Sequence, residues 1–119
     1  MDQELDIDTS VAWIIQEHRR LSELVDRGIA ELLRASLAYA EAEETYRKEK
    51  ALAWVNARAN LAEHRRAEVD GATAELRKDR DIAHGTMRAA SQAIKARSGQ
   101  LDALRSVISV LRSEMDLAR

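Results

Sequence analysis

The chain has 119 residues, a net charge of −2, 34% charged and 45% hydrophobic residues, and no cysteine, proline or phenylalanine. This is one domain's length of chain with the composition of long helices and coiled coils, and at 3% aromatic residues it lacks the large side chains of a thick core. Without cysteine, disulfides, thiolate metal sites and cysteine nucleophiles are excluded.

Residues 1–9 are acidic and lack both the positive start and the apolar run of a signal peptide, so a loose N-terminal arm on an intracellular, cytoplasmic protein is expected. No stretch approaches the length of a membrane span. Asp8, Thr9 and Ser10 are good N-cap residues and predict the start of a first helix. From Ile14 an apolar seam follows in steps of three and four: Leu21, Val25, Gly28, Leu32, Ala35, Tyr39, Ala42 and Tyr46. Leu33 and Leu37 lie beside it.

Asn60-Leu61-Ala62-Glu63 has the form of a capping box, with Asn60 as cap and Glu63 reaching back. A turn is therefore expected near 57–60, with a first arm over about 10–57 and a second over about 61–117. A short connection makes such arms antiparallel neighbours. Val69-Asp70-Gly71-Ala72 is a rival break.

The second arm ends in the most regular stripe of the chain: Met87, Ala90, Ile94, Arg97, Leu101, Leu104, Ile108, Leu111, Met115 and Ala118. Alternating steps of three and four keep a narrow seam facing another helix, the pattern of coiled-coil packing. The fold class read from these elements is all-α, a long antiparallel helical hairpin with coiled-coil-like packing, within one domain over 10–119. Val107 and Val110, like Leu33 and Leu37, are left on the flanks, which predicts assembly into a homo-oligomer. Trp13 and Ile14 on the first arm, and Ile94, Leu101, Leu104, Ile108, Leu111 and Met115 on the last, are the expected oligomerisation residues. Arg97, charged on the seam, either sets register or extends its guanidinium outward.

Charge is unevenly spread: residues 1–44 hold eleven acidic and four basic side chains, residues 45–119 ten acidic and fifteen basic. Around the expected turn Arg47, Lys48, Lys50, Arg58, Arg65 and Arg66 stand with Tyr46 and Trp54. Cations that follow phosphates and rings that stack on bases suit single-stranded nucleic acid. The other reading is a solvated helix face of i,i+4 ion pairs, with Trp54 and Tyr46 as packing anchors. Catalysis finds no support: His18, His64 and His84 are scattered, no triad or metal-ligand spacing is visible, and no cofactor motif occurs.

The acidic start Leu5-Asp6-Ile7-Asp8-Thr9-Ser10, the basic tract Tyr46-Arg47-Lys48-Glu49-Lys50-Ala51-Leu52 and the late Ala93-Ile94-Lys95-Ala96-Arg97-Ser98 before Glu114-Met115 together resemble the UvsY-type helical recombination mediators of tailed bacteriophages. The resemblance implies a single-stranded DNA-binding homo-oligomer that helps load a recombinase onto DNA coated with single-strand-binding protein. It would place the DNA-binding tract at Lys48, Lys50 and Arg58, and self-association in Ile94 to Met115. The chain departs from the pattern in a shorter hinge with fewer glycines and in its negative charge. A coiled-coil adaptor that binds another protein and no nucleic acid is the alternative.

Overall fold

The computed structural model describes the backbone of residues 2–118 and the side chains of residues 10–118. Three helices follow in order, α1 Asp2–Asn56, α2 Ala62–Ala72 and α3 Ala74–Leu117, and no strand occurs among the described residues. The chain is an all-α helical hairpin: α1 is one arm, and α2 with α3 is the other. No helix among the described residues is long and apolar enough to cross a membrane.

Two boundaries differ from those expected. Helix α1 starts at Asp2 rather than at a cap among Asp8, Thr9 and Ser10, so the backbone expected as a loose arm is helical. Residues 2–9 contain neither glycine nor proline to stop a helix, and acidic residues near a helix N-terminus suit its dipole. At the other boundary the chain reverses over 57–61, and the cap of α2 is Leu61, in an extended conformation with no side-chain cap bond. The Asn60–Glu63 capping box is therefore not formed; the Leu61 carbonyl accepts the first bond, from the Arg65 N–H at 2.9 Å.

The rival break is not a reversal. Gly71 lies within α2, and only Thr73 interrupts the helical run. Backbone bonds of 3.0 Å continue on both sides, from the Thr73 N–H to the Val69 carbonyl and from the Arg77 N–H to the Thr73 carbonyl. The buried Thr73 hydroxyl also donates to the Val69 carbonyl, at 2.8 Å. Such back-bonding competes with the regular ladder; Thr86 makes the same bond to the Ile82 carbonyl at 3.0 Å without interrupting α3, so the hydroxyl alone does not break the run at Thr73.

The chain forms two compact units, Met1–Ala30 with Ser91–Arg119, and Glu31–Ala90. A pair of helices has no further layer, so its contacts stay between facing turns and do not converge on one centre. In the first unit Ile14, Leu21, Leu101 and Leu104 form the buried cluster, with Val25, Ile108 and Leu111 packed against it. Ile14 shares a groove with Ile108, while Gly28 meets Ile94. In the second unit Val69, Thr73, Tyr46 and Ala35 are buried. There the Tyr39 ring lies 5.0 Å from that of His84, and Glu43 pairs with Arg80 at 3.6 Å. Within each unit the α3 partners fall in number as α1 rises, so the helices run antiparallel.

The seams account for this packing. On α1 each seam position from Ile14 to Tyr46 named above is buried or half-buried. On α3 the same holds from Met87 to Leu111, whereas Met115 and Ala118 are exposed. The residues expected to join copies divide accordingly. Ile14, Leu101 and Leu104 are buried inside the first unit and Ile94, Ile108 and Leu111 are half-buried there, which leaves Trp13 and Met115 exposed. Leu33, Leu37, Val107 and Val110 are exposed on the flanks. Arg97 is half-buried and takes no ion pair among the described residues.

Glycine at a seam position and glycine at an exposed one differ. A Cβ at Gly28 would stand 2.9 Å from Ile94 Cγ1, whereas one at Gly71 would meet nothing within 4 Å. Gly71→Ala should therefore raise stability by about 1 kcal/mol, the helix-propensity gain. Gly28→Ala should lose that gain to the contact and be neutral or destabilising in urea denaturation; an equal stabilisation at both sites would show that the approach at Gly28 is loose.

Candidate nucleic-acid interface

The hairpin's loop is held by two side chains of α2. The Glu68 carboxylate accepts the Arg58 N–H at 2.9 Å and the Ala59 N–H at 3.3 Å, satisfying donors that the turn leaves without helical partners. The Arg65 guanidinium donates to the Trp54 carbonyl through Nε at 3.0 Å and Nη2 at 2.7 Å, capping the last turn of α1. The same guanidinium lies 5.3 Å from the centre of the Trp54 ring. One arginine thus fixes both the backbone and the ring of Trp54, whose side is 42% exposed at residue level.

Around this ring the expected cations have unequal freedom. Arg47 is bonded to Glu43 at 2.8 Å, and Lys48 stands 4.0 Å from Glu44 with both side chains exposed. Arg58, Arg66 and Lys50 are exposed and take no ion pair among the described residues. Tyr46 stands apart from Trp54 in kind: it is buried, with the Arg80 guanidinium 4.5 Å and the Lys50 ammonium 5.5 Å from its ring centre. It is a packing anchor, and its faces are taken by cations of the chain itself.

Arg80 escaped the sequence reading. Its hydrogen bond to Asp81, followed by the charges of Asp81 and Glu43, keeps its pKa above the ordinary arginine value despite partial desolvation, so it remains a fixed cation beside Tyr46. A signal was present: continuing the Met87 stripe backwards in the same steps reaches Ala83, Arg80, Leu76, Thr73 and Val69, all buried or half-buried. Glu68 carried no signal, because its partners are backbone groups whose position depends on the turn. Among the described residues no three His, Asp or Glu side chains group as a metal site. His84 is half-buried against Tyr39, and His18 and His64 lie elsewhere on the helices.

The loop end is thus a rigidly held tryptophan beside unpaired cations on an all-α hairpin. Set beside protein-family models, curated proteins and solved structures, the chain finds no match.

Proposed function

We propose that this protein binds single-stranded DNA at its loop end and serves as a recombination accessory in the bacterial cytoplasm, loading a recombinase onto DNA covered by single-strand-binding protein. The observation that carries DNA binding is the half-open Trp54 ring held by Arg65, at a loop end that also carries Arg58, Arg66 and Lys50, exposed and without an ion pair among the described residues. A stacking platform supplies sequence-tolerant affinity and the cations neutralise phosphates. The recombinase-loading step rests on the resemblance to the UvsY-type mediators alone.

Fluorescence anisotropy with a labelled oligothymidylate over a salt series tests the reading. Affinity should fall steeply with salt, and changing Lys50, Arg58 and Arg66 together to Glu should remove about 2 from the log–log slope, roughly 0.7 for each phosphate neutralised. Arg65 is left out of that variant because it caps α1. Trp54→Ala should weaken binding by about 1–3 kcal/mol, the contribution of one stacked base. No binding at low salt, or binding indifferent to these changes, would sink the proposal in favour of the protein-binding adaptor.

A further inference from the structure

One flank of α3 in the first unit carries no charge, although Lys95, Asp102, Arg105 and Arg112 stand on the rest of its exposed surface. One residue before each seam position runs a second stripe at the same alternating spacing: Ala93, Ala96, Gln100, Ala103, Val107 and Val110. All six are exposed, and the column of positions on the side away from the seam, Gln92, Gly99, Ser106 and Ser113, adds no charge. In a chain with 34% charged residues, a solvated helix face of this length would carry several charges. Val107 is 47% exposed and Val110 58%. Trp13 of α1, 57% exposed, lines an open groove with Ala103 and Val107 at the edge of the stripe.

The spacing of three and four suits another helix, and the charges along the stripe's border select which one. Lys95 lies near its N-terminal end, Asp102 near its middle and Asp116 beyond Val110. Lys95 and Asp116 take no ion pair among the described residues, while Asp102 bonds Arg105 at 3.3 Å. A parallel copy would set like charges against like. An antiparallel copy centred between Ser98 and Gly99 sets Lys95 of each chain opposite Asp102 of the other, in a closed two-fold contact. Gly99 has nothing within 4 Å of an added Cβ and no positive φ, so neither packing within the chain nor backbone conformation requires glycine there.

We infer that the exposed stripe of α3, with Trp13 at its rim, pairs antiparallel with the same face of a second copy of this chain. The contact is separate from the loop end and does not depend on DNA binding.

The test uses the full chain. Sedimentation equilibrium at tens of micromolar should give at least twice 13.4 kDa. Ala103→Glu with Val107→Glu should return the mass to that of the monomer with unchanged helical circular dichroism. Lys95→Asp should weaken association, and adding Asp102→Lys should restore it, since both copies then carry the exchanged pair. The chain has no cysteine, so Gly99→Cys should form a disulfide-linked dimer under mild oxidation. Ser113→Cys should not, because fourteen to fifteen residues from the centre at 1.5 Å per residue place the two thiols about 40 Å apart. A wild-type monomer at these concentrations, an oligomer indifferent to the two glutamates, or efficient linking through Ser113→Cys would each overturn the inference.

Discussion

Leu21→Ala should lower the unfolding free energy by about 2–5 kcal/mol, with the urea midpoint falling accordingly at fixed protein concentration. Leu21 is 2% exposed and belongs to the one buried cluster of the first unit, with Ile14, Leu101 and Leu104. Removing its side chain loses the transfer free energy of the missing atoms and opens a cavity between two helices that have few other large side chains to fill it. Leu33→Ala is the control. Leu33 is 62% exposed, and its loss should change stability by no more than about 0.5 kcal/mol. Equal losses at the two positions would mean that Leu33 is covered in solution and that the burial pattern of the single chain is incomplete.

Tyr46→Ala should cost about 3–5 kcal/mol, the usual effect of deleting a buried ring. Tyr46 is 7% exposed and lies beneath both Arg80 and Lys50, so its removal also deprives two cations of the ring face they lie against. Tyr46→Phe keeps the ring. Its hydroxyl has no hydrogen bond to the chain among the described residues, so this change should cost less than about 1 kcal/mol. A phenylalanine variant as unstable as the alanine one would move the energetic weight from ring to hydroxyl. Since Tyr46 is packed and Trp54 is half open, Tyr46→Phe should also leave oligonucleotide binding untouched.

These residues show how the candidate site divides between sequence and structure. Ile14, Leu21, Leu101 and Leu104 were legible because helical periodicity converts directly into one buried face, whatever the partner. The reversal over 57–61 was expected near 57–60 from the Asn60–Glu63 sequence, although that box is not what forms it. The Asn60–Glu63 box was misleading: a capping sequence signals only that a cap is available, and here the Arg58 and Ala59 donors are satisfied by Glu68, ten and nine residues away in sequence. The basic tract was visible as composition. Which members are free was not, since Arg65 is spent on the Trp54 carbonyl and Arg47 on Glu43, both of which depend on side-chain reach.

By itself the sequence determined that this protein is helical, that it has two arms, and which side of each arm is buried, because 3.6-residue periodicity and the absence of proline act locally along the chain. Only the tertiary structure decided that the arms pack in two units, that Tyr46 is an anchor while Trp54 stays half open, and that α3 keeps an uncharged flank exposed after its seam is filled. Those outcomes depend on which turns of one helix come opposite which turns of the other, a register set by the loop and by the sum of many weak contacts.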